Sequence, residues 1–179
     1  MLLVSSQAVD RGPRPRVRSV FERDLHLHEL AARVALLHES ALVHDVGKIG
    51  IPDAILLKPS RLTREEYEII KEHAALGARI VEDVLCAEQV EWVLSHHERP
   101  DGLGYPRGLH GDELSEGAAL LAAADAFDVM VSARPYSPGR SIDEALRECH
   151  ELAGRQFTAH AVAALEGLYG PAQALRHAA

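Results

Sequence analysis

The chain has 179 residues, 47% of them hydrophobic and 26% charged, with a formal net charge of −8. That length suits one domain with a single core, and the composition is that of a globular protein rather than a disordered one. A negative chain has no general basic surface for gripping duplex nucleic acid, so any phosphate it handles must meet local positive charge or a bound metal.

Residues 1 to about 20 are expected to be a flexible tail or linker remnant, because Arg11-Gly12-Pro13-Arg14-Pro15-Arg16 mixes breakers with like charges. Met1-Leu2-Leu3-Val4 has no basic region ahead of it and no sustained apolar run, so neither a signal peptide nor a membrane anchor is expected. From Phe21 to about Val43 apolar Leu27, Leu30, Ala31, Val34 and Leu37 return at helical steps. Ala41-Leu42-Val43 then runs into His44-Asp45, and Gly47 and Pro52 end the helix and open a loop.

Thr63 and Glu66 form a capping box, and the helix they start carries Tyr67, Ile70, Ala74, Gly77, Ile80, Val81 and Val84 on one face. His73 sits beside that face. A short helix from about Ala87 to His97 brings in the His96-His97 doublet, and residues 98 to 114 form a loop rich in Gly, Pro and Asp. A very apolar helix from Gly117 to about Ser132 contains Asp125. Ser141 to Glu144 is a second capping box, and a last helix is predicted from Thr158 to Leu168. No segment alternates with period two, so the fold is expected to be all-α, with a domain over 21–170 and a C-terminal tail over 171–179. Cys86 and Cys149 match neither a zinc ribbon nor a disulfide framework, so two buried reduced thiols in a cytoplasmic protein are expected.

His44, Asp45, His73, His96, His97 and Asp125 offer imidazole nitrogens and carboxylate oxygens, donors that suit Fe, Mn or Zn-like divalent ions. Each has an ordinary alternative. A His-Asp pair arises by chance, a single His73 suits a satisfied core, and neighbours on a helix such as His96 and His97 diverge by about 100°. Asp125 would ordinarily be a solvent-facing or cap-bonded carboxylate, but among Ala122, Ala123, Ala124 and Phe127 it is costly to bury unpaired, and metal ligation explains it better. Lys48 is either a helix-terminal cation or a phosphate contact. Glu98 is either an outer acceptor for a ligand imidazole or a surface carboxylate.

His44-Asp45-Val46-Gly47-Lys48-Ile49-Gly50-Ile51-Pro52-Asp53, His96-His97-Glu98-Arg99 and Asp101-Gly102-Leu103-Gly104-Tyr105-Pro106 together resemble the signature of the HD-GYP family, within the HD phosphohydrolase superfamily. Arg134-Pro135-Tyr136 and Gly154-Arg155-Gln156-Phe157 resemble two further family segments, and the likeness runs from about His28 to Leu168. The resemblance implies an HD-domain helical bundle with a Gly-Tyr-Pro loop and hydrolysis of cyclic di-GMP to pGpG and possible onward cleavage to GMP. It implies two divalent metals, iron foremost with manganese compatible, held by His44, Asp45, His73, His96, His97 and Asp125, with Asp45 bridging and catalytic. Lys48 would act in catalysis and, with Arg134, on the substrate, while Gly104, Tyr105 and Pro106 would shape the rim. Protein partners of GGDEF or other signalling type fit the same family, since no receiver or sensor domain is visible.

The chain departs from the family in three places. His28, with His26 close behind, is the candidate for an upstream histidine ligand, but its interval to His44 is shorter than the family's. Asp24 or Glu22 is the candidate carboxylate for a third metal. Ser137 and Ala119 stand where basic residues are common, and losing such contacts would weaken phosphate binding. A domain that binds nucleotide or protein without turnover is therefore the alternative expectation, and an HD phosphohydrolase acting on another nucleotide is a third.

Overall fold

A computed structural model describes residues 15–133 and 139–170, with backbone alone for residues 15–28. Among the described residues there are seven α-helices and no strand, only isolated bridges at Asp101–His110 and Ala153–Phe157. The all-α expectation holds. The helices are α1 (Pro15–Val43), α2 (Asp53–Leu56), α3 (Arg64–Val81), α4 (Ala87–Ser95), α5 (Glu116–Val131), α6 (Ile142–Glu151) and α7 (Ala159–Tyr169). None is long and apolar enough to cross a membrane.

The chain divides into two compact units, Met1–Leu36 and Leu37–Ala179. In the first, α1 begins at Pro15, inside the stretch expected to be a tail; a proline is tolerated at a first helical position because its missing N–H has no partner there anyway. Leu30 and Val34, on the apolar stripe that returns at helical steps, are exposed. Helical periodicity shows that apolar residues share a face, not that anything covers it.

The second unit is built around α3. Its capping box is present: Glu66 N–H donates to Thr63 Oγ1 at 3.2 Å, and Thr63 N–H donates to Glu66 Oε2 at 2.7 Å. The buried face is His73, Ala74, Gly77, Ala78 and Val81. Tyr67 and Ile80 are exposed, and Val84 lies beyond the helix end, so the inward face is turned from the predicted one. The cause is close packing. A 3-10 turn, Val46–Gly50, lies directly on the α3 backbone, where a Cβ on Gly47 would overlap the His73 carbonyl oxygen and the Gly77 nitrogen. Small side chains on α3 admit that approach, and large ones are left outside.

The rest of the core follows from α4 to α7. Trp92 is buried on α4, and a Cβ on Gly117 at the start of α5 would overlap its indole. Ala118, Leu121, Ala123 and Phe127 of α5 meet a core completed by Ala145, Leu146 and Cys149 of α6 and Ala161, Val162 and Leu165 of α7. Helix α6 carries its predicted capping box, Ser141 with Glu144. The expectation of two buried thiols is corrected: Cys149 is buried, but Cys86 is the exposed N-cap of α4. Ala119 is buried too.

Gly47→Ala is expected to cost at least about 2 kcal/mol, because the clash is with backbone that cannot swing away. Urea unfolding followed by circular dichroism would measure it, and an unchanged midpoint would contradict this packing.

Candidate metal centre

Three histidines from three segments make the same local bond. His44 Nδ1 lies 2.7 Å from the Ala41 carbonyl oxygen, His73 Nδ1 2.6 Å from that of Ile70, and His96 Nδ1 2.7 Å from that of Val93. A carbonyl only accepts, so Nδ1 carries the proton in each ring and Nε2 keeps its lone pair. His73 Nε2 and His96 Nε2 then face one another at 3.3 Å, and His97 Nε2 is 3.2 Å from His73 Nε2. Two lone pairs cannot bond each other. A cation between them resolves the conflict.

Asp45 completes the set. Its ligand atom and those of His73, His96 and His97 all lie within 4.8 Å of one another. Asp45 Oδ1 is 3.4 Å from His73 Nε2, while Oδ2 is 3.5 Å from His44 Nε2 and accepts from Lys48 Nζ at 2.5 Å. Asp45 Oδ1 and His44 Nε2 are buried without a hydrogen-bond partner. Buried orphans of this kind need an explanation, and a divalent ion supplies one. The Nε2 and carboxylate donors fit such an ion.

The objection to the doublet disappears at the helix end. Helix α4 stops at Ser95 rather than at His97, with His96 its C-cap still in helical conformation and His97 beyond it, and the two ring centroids are 4.0 Å apart. Asp125 projects from α5 with Oδ1 3.6 Å from His44 Nε2, at the edge of the cluster. Burial pushes the His96 pKa down to about 4 and that of His97 to about 3, and lowers His73 as well, so these rings stay neutral and able to donate lone pairs. The Asp125 carboxylate raises His44 instead, and His44 in turn lowers Asp125. Burial works to raise Asp45, but the Lys48 ammonium holds it below the usual carboxylate range.

A cleft of about 420 Å³ opens on His96, His97 and Asp125, and Tyr67, Tyr105 and Gln156 line it farther out. Tyr105 lies with its ring centroid 4.8 Å from that of His97, and burial raises its phenol pKa, keeping it neutral. Lys71 sits over the Tyr67 and Tyr105 rings at 4.9 and 5.7 Å. Tyr67, on the apolar face predicted for α3, lines this cleft, because helical spacing alone does not show which face borders a cleft. A larger recess of about 680 Å³ between α6 and α7 lies elsewhere; its one imidazole, His150, is exposed and paired with Glu166.

Glu98 departs from both of its expected roles. It is 1% exposed, so it is no surface carboxylate, and it bonds no imidazole. Its oxygens accept the backbone N–H groups of Arg107, Gly108 and Leu109 at 2.6, 3.2 and 2.9 Å. Gly104 has no room for a side chain, since a Cβ would overlap Glu98 Cα and Arg99 N, and Pro106 follows it at the exposed rim. The His28 side chain and those of Glu22, Asp24 and His26 lie outside the described residues, as do Arg134 and Ser137.

The HD domain family matches residues 17–160. The chain is 47% identical over 128 residues to a cyclic di-GMP phosphodiesterase of Thermotoga maritima, covering 70% of this chain and 35% of that protein. It is 44% identical over 134 residues to a cyclic di-GMP phosphodiesterase of Vibrio cholerae, covering 70% and 27%. A 3'3'-cGAMP-specific phosphodiesterase of Vibrio cholerae is 40% identical over 111 residues, covering 62% and 24%. The matched stretch thus spans about a third or less of each relative's own length. With the His-Asp pair, the His doublet and the Gly-Tyr-Pro loop in one cluster of segments, the chain belongs to the HD domain family, in its HD-GYP type.

Proposed function

We propose that this domain is a metal-dependent phosphodiesterase that hydrolyses cyclic di-GMP to pGpG and then to GMP. The observation that carries the reading is the set of converging imidazole lone pairs around an Asp45 oxygen with no hydrogen-bond partner. His44, Asp45, His73, His96, His97 and Asp125 would hold two divalent ions, iron foremost and manganese compatible, with His28 a further candidate ligand. The two oxygens of Asp45 face different partners, His73 through Oδ1 and His44 through Oδ2, which suits a bridging role. Such ions supply a water acidic enough to attack at neutral pH and neutralise charge on the phosphate.

The chain's own groups do the remaining work. The Lys48 ammonium is held at Asp45, and from there it would stabilise charge on the leaving oxygen of the phosphate. Water adds its oxygen to phosphorus, the ribose 3'-oxygen leaves, and a proton passes to it, giving the linear product. Tyr105 and Gly104-Pro106 shape the wall on which a purine rests, as a neutral phenol beside His97 allows. Arg134 would hold the second phosphate. The names of the relatives divide between cyclic di-GMP and 3'3'-cGAMP, so the mixed dinucleotide is the second substrate to compare. In the cell the domain would act on a dissolved nucleotide in the cytoplasm, under signalling partners of GGDEF or similar type.

Iron-reconstituted protein under anaerobic conditions is expected to convert cyclic di-GMP to pGpG, followed by chromatography. Asp45→Ala should lower the rate by at least about 100-fold, beyond the loss typical of changes to outer-shell partners. Intact wild type, loaded with metal and inert towards both cyclic dinucleotides, would overturn the proposal; retained nucleotide affinity without metal would favour a binding module instead.

Lys48→Ala is expected to lower kcat/KM by roughly 10- to 100-fold, the worth of one hydrogen bond to a charged group. Metal content measured by mass spectrometry should stay near that of wild type, and its loss would mark Lys48 as support for Asp45 rather than a contact to phosphate.

A further inference from the structure

The loop from Arg99 to His110 carries Tyr105 and is tied to the metal-site backbone at several points. Tyr105 N–H donates to the His97 carbonyl at 3.2 Å, fixing the near side. The far side is gathered by one carboxylate, since Glu98 accepts from three consecutive N–H groups at Arg107, Gly108 and Leu109. The Arg107 side chain adds contacts to Ser95 at 2.5 Å and to Glu91, both on α4. Gly104 lets the loop press against the backbone of Glu98 and Arg99. The result is a Tyr105 ring held 4.8 Å from His97 and 6.3 Å from His73, with the Lys71 ammonium 5.7 Å from its centroid.

Three tasks can be assigned to a buried acid beside a metal cluster, and two are closed to Glu98. Orienting an imidazole is one, but His44, His73 and His96 are oriented by backbone carbonyls, and the Glu98 oxygens go to the 107–109 N–H groups rather than to His97. Touching substrate is another, and Glu98 does border the cleft, but it is 1% exposed and both of its oxygens are taken up by backbone N–H groups. What remains is the loop. A carboxylate taking three N–H bonds is a strong, charge-assisted tie, and it fixes backbone rather than side chain. Because Tyr105 stands between the two tied ends, the tie sets where its ring can lie.

We infer that Glu98 is a positioning residue for substrate specificity: through the 107–109 backbone it holds Tyr105 as a fixed wall for the purine of a cyclic dinucleotide. The inference rests on the proposed activity. Glu98 governs how a large substrate is seated and leaves the metals and the attack on phosphorus alone. A small phosphodiester, too short to reach the Tyr105 wall, does not sense it.

The test is a double-mutant cycle on metal-loaded protein, with cyclic di-GMP and bis(p-nitrophenyl) phosphate as substrates. Glu98→Gln keeps the shape but presents an amide NH₂ to backbone donors. It is expected to lower kcat/KM for cyclic di-GMP by about tenfold, as loss of a charge-assisted bond would, while metal content and turnover of the small diester stay within about twofold. In a Tyr105→Ala background the same change should cost less than about twofold, since residues acting through one another are not additive. Glu98→Asp, which keeps the charge, stands in if the glutamine variant does not fold. Equal losses on both substrates, additive losses with Tyr105→Ala, loss of metal, or no loss at all would each overturn the inference. Wild type that cleaves the small diester but not cyclic di-GMP would remove the proposed substrate, and this inference with it; wild type active on both with a silent Glu98→Gln removes the inference alone.

Discussion

The site depends on a short bond made three times over. At His44, His73 and His96 the ring Nδ1 donates to the carbonyl three residues earlier, so each helix end or helix turn that delivers a histidine also decides its tautomer. The proton is committed on one side of the ring, and the lone pair is committed on the other. Nothing outside each segment's own backbone is needed for this. The tertiary fold has only to bring the segments together, and burial then keeps His73, His96 and His97 neutral.

Bringing them together is the work of close backbone packing. The turn after Asp45 rests on α3 at Gly47, with the His73 carbonyl and Gly77 nitrogen beneath it, so the two ligand-bearing segments touch through main chain. Side chains can adjust their rotamers to strain, but main chain in a helix cannot move alone. The spacing between Asp45 and His73 is therefore a property of the scaffold. Lys48 rides on the same turn, which fixes its ammonium at Asp45.

What could be read from the chain alone was whatever is local or is carried by a distinctive motif. The boxes at Thr63 and Ser141 depend on residues three apart, and both formed as expected. The His-Asp pair, the doublet and Asp125 were legible because ligand-type residues stood where an apolar pattern gave no reason for them. On α3 apolar bulk predicts a different inward face from the one that packs, because Ala74, Gly77 and Ala78 are buried through their smallness. The role of Glu98 is not legible for a different reason. Its partners are backbone N–H groups nine to eleven residues downstream, in a loop whose course no periodicity describes. Residue type predicts a buried thiol at Cys86, but the residue is the exposed N-cap of α4.

The contact between Trp92 and Gly117 gives the molecule a built-in optical reporter. Trp92 is the chain's one tryptophan, and it is buried where α4 meets the first turn of α5. The His doublet stands at the end of α4, and Asp125 lies two turns along α5. Indole emission therefore responds to the separation of the two helices that carry those ligands, and not to the tyrosines that line the cleft. Solvent reaching that ring would shift its emission to longer wavelength at the moment the scaffold beneath the site came apart, while disturbance of the cleft wall alone would leave it dark to the change.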